Sequence, residues 1–132
     1  EWAKSIPGSA ERIYQGGFHF IDFTDINNPV ETAIYQIPEV GSHNHWVEGD
    51  VLYAGYYYGG IRVLDISGEL LGDLYAQGRE IAFFEGRDPN GKIANETNVW
   101  GVIPYKGLIY FADHYNGLWA VKLVDDEQMG TN

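Results

Sequence analysis

Cysteine is absent from the 132 residues. That excludes disulfides, thiolate metal sites and a cysteine nucleophile, and it leaves the redox compartment open. Basic side chains are scarce: 8 Lys and Arg stand against 19 Asp and Glu, a net charge of −11. There is no basic patch or arginine-rich run to hold nucleic acid, which repels such a surface. Anionic membrane surfaces are disfavoured as direct partners for the same reason. The charge suits solubility, and a basic protein partner or a cation. No apolar run reaches the roughly 18 residues that a membrane span needs. No signal-peptide pattern is found, and the chain opens on Glu1 rather than Met, so a removed leader or a longer parent protein is expected. The sequence carries no Walker loop, no G-x-S-x-G, no H-E-x-x-H and no dinucleotide fingerprint. Ser5, Ser9, Ser42 and Ser67 have no recognisable nucleophile setting.

Aromatic residues and glycine are abundant: 15% Phe, Trp and Tyr, and 17 Gly, in a chain that is 45% hydrophobic. The length is that of one domain. Aromatic and β-branched residues suit sheets, and glycine without a G-X-Y period signals turns. "VLYAGYYYGGIRVLDIS" at 51–67 is echoed upstream by "GGFHFIDFTD" and downstream by "GLIYFADHYNGLWAVKL". With Gly17, Gly60 and Gly117 aligned, Val51 to Ile66 overlays Leu108 to Leu123 without a gap, 57 residues apart, and the first spacing is 43. A period of about 40–45 is that of a propeller blade, and the longer spacing is that period plus an insertion.

Each unit reads as strand, tight turn, strand. Further strands are expected at 32–37 and 80–84. The one helical pattern is 68–82, with Leu70, Leu71, Leu74 and Tyr75 on one face, interrupted by Gly72 and Gly78. Residues 85–97 are polar and rich in turn formers, an expected exposed loop. The fold expected is all-β: a single segment over 1–132 with units at about 12–40, 43–84 and 98–124, forming blades of a partial β-propeller. Three units do not close a ring of about 4–8 blades. The chain is therefore expected to be part of a longer propeller, or to complete its ring by self-association through unclosed blade edges.

At "YYYGGIRVLDISGEL", "YFADHYNGLWAVKL" and "FHFIDFTDINNPVETAIYQIP" the chain resembles the LVIVD-repeat β-propeller family, and "SHNHW" resembles the "HN" ahead of a strand in many members. The resemblance covers roughly residues 14–123. Lys122 replaces the aspartate of the other units, and Gly68-Glu69 stands where the pattern has Asp-Pro. The resemblance implies architecture and an extracytoplasmic location (periplasmic, cell-surface or secreted), and little about activity.

Candidate chemistry centres on His43 and His45. Two residues apart on a strand, they would share a face. Imidazoles so placed can chelate a transition metal, given a third ligand, for which His114 and His19 are candidates. The competing use is turn capping, backbone bonding or stacking on Trp46. Trp46, Tyr56, Tyr57 and Tyr58 could form an aromatic interaction patch, or pack between sheets with their hydroxyls at the rim. Asp22, Asp25 and Asp65 recur at strand ends, where they could hold a cation or bond their own backbone two residues on. Arg79 is expected to pair with Glu80 and Glu85 on the surface. Asn95-Glu96-Thr97 has the form of a glycosylation acceptor, relevant only in a eukaryotic secretory pathway. The function expected is that of a non-enzymatic interaction or scaffold module, binding other proteins in an assembly. The alternative is a metal-dependent propeller oxidase or lyase with a histidine site at the channel.

Overall fold

The computed structural model describes residues 16–124, and the backbone of a short strand pair, β1 (Lys4–Ser5) with β2 (Arg12–Ile13). The described residues are all-β, with no helix. They form β3 (Phe18–Asp22), β4 (Val30–Tyr35), β5 (Ser42–Glu48), β6 (Val51–Tyr56), β7 (Gly60–Asp65), β8 (Gly72–Asp73), β9 (Glu80–Phe84), β10 (Val99–Tyr105), β11 (Leu108–Asp113) and β12 (Gly117–Val121). Beyond the short pair there are three sheets, ordered β3-β4-β8, β5-β6-β7-β9 and β10-β11-β12. All neighbours are antiparallel except β4 and β8.

The second sheet is packed on both faces, so β6 and β7 read as near-continuous apolar runs rather than as an alternation. Leu52, Ala54, Tyr56 and Leu64 join Phe18, Ala33 and Tyr35 in a core against the first sheet. Ile61 and Val63 join Val99, Val102, Ile109 and Phe111 in a second core against the third sheet. Two polar groups reach into the first core. The Tyr56 hydroxyl donates to the Tyr35 carbonyl at 3.0 Å, and the Tyr35 hydroxyl donates to Glu80. Burial, and then the Glu80 carboxylate, push the Tyr35 hydroxyl far above the ordinary tyrosine range, so it stays a donor. Arg62 completes the network at 3.3 Å from Glu80.

The expected helix over 68–82 does not form. The segment instead lays down β8, turns at 74–78 and returns as β9. Gly72 and Gly78 take φ of +68° and +70°, outside the right-handed helical region, and Leu74 is fully buried between the first two sheets. The strand expected at 80–84 is β9. The 85–97 segment carries no strand. It is pinned by Asn116, whose amide donates to Gly86 O at 2.6 Å and to Glu96 O at 2.8 Å.

Two glycines that begin third strands differ in surroundings. A Cβ on Gly60 (φ +73°) would lie 2.2 Å from the Phe84 carbonyl, whereas a Cβ on Gly117 (φ +82°) meets nothing within 4 Å. Gly117→Ala is therefore expected to cost about 1 kcal/mol, the strain of a left-handed alanine. Gly60→Ala adds a backbone clash and should cost about 3 kcal/mol or more. Urea unfolding of the two variants measures the difference, and equal losses would contradict the packing described.

Candidate functional site

The four histidines go to three places. β5 carries a register irregularity between Ser42 and His45, which breaks the two-residue alternation that would set His43 and His45 on one face. Both border a hollow of about 290 Å³ with Gly17 and Phe18, but their rings engage different neighbours. The His45 ring meets the Phe18 edge at 5.1 Å. His43 stacks on Trp100 at 5.1 Å and meets the Tyr57 ring at 5.2 Å. His19 lies apart, with Nδ1 2.7 Å from the Glu31 carboxylate. His114 also meets the Trp100 ring, in an edge-on contact at 5.3 Å. Among the described residues no group of three or more His, Asp or Glu side chains could hold a metal ion.

What forms instead is an aromatic–imidazole cluster at the ends of β5, β6, β10 and β11. Trp100 is its centre, held by its indole N–H donating to Asn98 Oδ1 at 2.5 Å. His43 Nδ1 lies 2.8 Å from the Trp100 carbonyl. A carbonyl only accepts, so Nδ1 carries the hydrogen. Backbone bonds tie the same strand ends together: Val99 N to Tyr57 O at 2.9 Å, and His114 N to Asn98 O at 2.8 Å. Asp113, buried below the cluster, accepts from Thr97 Oγ1, Asn98 N, Tyr115 N and Asn116 N. Trp100 is 45% exposed, so the cluster presents part of a flat apolar ring to solvent. Sequence reasoning missed Trp100, Asn98 and Asp113. The signal was present: Trp100 follows His43 by 57 residues, as His114 follows Tyr57.

The tyrosine run is divided. Tyr56 is a core residue with no exposed surface, which removes it from any aromatic patch; Tyr57 and Tyr58 are half-buried. Trp46 is 47% exposed on β5. The strand-end aspartates bond their own turns. Asp22 accepts from Thr24 N at 2.8 Å, Asp25 from Asn27 N at 3.0 Å, and Asp65 from Ser67 N at 2.8 Å. The expected Arg79 ion pair is replaced. Arg79 donates to the Ser67 and Glu69 carbonyls, Glu80 pairs with Arg62, and Glu85 pairs with Arg62 and Arg87. Thr97 of the acceptor-like triplet is fully buried on Asp113.

Two apolar surfaces remain open on the third sheet. Its outer face presents Ile103, Tyr105 and Leu118, which are 49%, 58% and 76% exposed. At its side, between β9 and β12, runs a groove of about 570 Å³. Comparison with known proteins finds no matching family model, no matching curated protein and no matching solved structure.

Hydrogen bonds from Ser67 hold the Asp65 carboxyl below the usual carboxylate range, and those from Thr24 do the same for Asp22. A depressed folded-state value stabilises above the unfolded value, near pH 4. That stability is lost as pH falls through the folded value. Asp65→Asn should thus lower Tm at pH 7, with the deficit shrinking between pH 4 and 2. A deficit constant across that window in parallel melts would count against the turn's role.

Proposed function

We propose that this chain is a non-enzymatic interaction module, built of stacked β-propeller-type units like those of the LVIVD-repeat family and working outside the cytoplasm. The extracytoplasmic location rests on the resemblance alone. The propeller reading is supported by the strand bounds. β5, β6 and β7 begin at Ser42, Val51 and Gly60, and β10, β11 and β12 begin at Val99, Leu108 and Gly117, an offset of 57 in each case. β3 and β7 end at Asp22 and Asp65, at the spacing of 43.

One observation carries the interaction role: the outer face of sheet β10-β11-β12. Register sets Ile103 opposite Tyr110 and Leu118 opposite Ala112, all on the side away from the core residues Val102, Ile109 and Phe111. The three strands contain one charged residue, Asp113, which is buried. In an acidic chain of net charge −11, an uncharged face of this kind is a surface for association. A second copy or another protein's sheet would bury it, as the second sheet buries its own two faces.

Sedimentation and thermal melting from micromolar to millimolar concentration test the role. Self-association and a Tm that rises with concentration are expected. Leu118→Lys with Ile103→Lys should reduce both, and because those side chains are exposed the monomer's fold should survive. A chain that stays monomeric with a concentration-independent Tm would speak against association through this face.

A further inference from the structure

The first two sheets are locked together by one segment, and among the described residues nothing fills the corresponding place one sheet along. After β7 the chain leaves through Ile66 and crosses to the first sheet. There it lays β8 parallel to β4, pairing Ala33 with Gly72 and Ile34 with Asp73. The Leu74 amide donates to the Ile34 carbonyl at 2.9 Å, and the Leu74 side chain is fully buried. The chain then returns as β9 along β7. Leu74 shares its core cluster with Ala33, Tyr35, Leu52 and Leu64, and Ile66 packs against it.

The groove between β9 and β12 has matching walls. On β4, Ala33 is paired with Phe20 and Tyr35 with Phe18; on β9, Ala82 is paired with Val63 and Phe84 with Ile61. Ile109, Val121 and Leu123 follow Leu52, Leu64 and Ile66 by 57 residues. Ala82, Phe84, Ile109, Val121 and Leu123 all line the groove. It is therefore the counterpart of the Leu74 slot. Along it the outer edge of β9 leaves Ile81 and Phe83 52% and 62% exposed.

The glycines supply a second, separate observation. A Cβ on Gly17 would meet the Tyr35 carbonyl at 2.7 Å, and one on Gly60 the Phe84 carbonyl at 2.2 Å. In both sheets, the strand after the crossover or turn lies against the glycine. Gly117 has nothing there, and among the described residues β12 pairs only with β11. The groove lining carries one cation, Lys122, and one carboxylate, Glu80, and segment 66–84 sets Glu69, Asp73 and Glu80 against Arg79.

We propose that the groove and the open edge of β12 form one acceptor site for a polypeptide segment that completes the third sheet. The segment is patterned like residues 66–84. A Gly-Asp-Leu strap would pair with β9 and bury its leucine in the groove. A strand of small, large and aromatic residues, like Ala82-Phe83-Phe84, would then pair with β12. This rests on the stacked-unit reading above.

The test is titration of a fluorescein-labelled peptide of residues 66–84 into the full 132-residue chain, whose dispersed amide spectrum is recorded on the same sample. Saturable binding is expected. Leu74→Ala in the peptide should weaken it about ten-fold or more, the loss of one buried leucine. Leu123→Asp and Gly117→Ala in the protein should each weaken it too, since one faces the groove and the other the added strand. Equal binding of a shuffled peptide, or no saturation of the folded chain, overturns the proposal. A chain that self-associates through the outer face of its third sheet but ignores the peptide defeats this inference alone.

Discussion

Sheet β5-β6-β7-β9 has apolar residues on both faces, Leu52, Ala54 and Leu64 toward one neighbour and Ile61 and Val63 toward the other, and neither set can be left in water. Each large side chain so buried contributes about 1.5–3 kcal/mol. A hydrogen bond within an exposed turn contributes less. Packing on two faces therefore sets the architecture, and the turns adjust to it. The same demand explains the polar network of Tyr35, Glu80 and Arg62. A carboxylate at the edge of an apolar layer needs a cation and a donor, and it has both.

Most strands were legible because their signals are local. The runs read at 51–57 and 61–66 match β6 and β7 to within a residue, Gly59 falls in the turn between them, and the "EIAFF" run is β9. The 68–82 segment misled because burial of Leu74 gives a crossing strap the same apolar spacing as a helix, and only Gly72 and Gly78 argued otherwise. The histidine pair misled for a different reason. Alternation on a strand holds only while register holds, and one irregularity in β5 sends His43 to Trp100 and His45 to Phe18. Arg79, Glu80 and Glu85 were close in sequence, but Arg79 bonds the Ser67 and Glu69 carbonyls and both glutamates reach Arg62 on β7, contacts that no local pattern reveals.

The candidate site was half visible. The 57-residue spacing places Trp100 where His43 stands and His114 where Tyr57 stands, so the two ring pairs that meet at 5.2 and 5.3 Å were already equivalent in the sequence. What the spacing could not tell is that the two pairs would join through His43 and Trp100. That contact depends on how two sheets stack, a property of packing rather than of either unit. The groove was hidden likewise: each wall residue is an ordinary strand residue, and the opening exists only between strands.

The strap through Leu74 also has a consequence for how the molecule opens. Because the chain leaves the second sheet, pairs within the first and returns, those two sheets are woven together. Neither can lose its strands without releasing β8 or β9. Among the described residues the third sheet is joined to them by a single passage, residues 85–98. Fluctuations should divide accordingly, the first two sheets opening as one cooperative block and β10-β11-β12 as a smaller one. Backbone amides of β6 and β7 would then exchange with solvent more slowly than those of β12, although all three strands are built from the same kinds of residue.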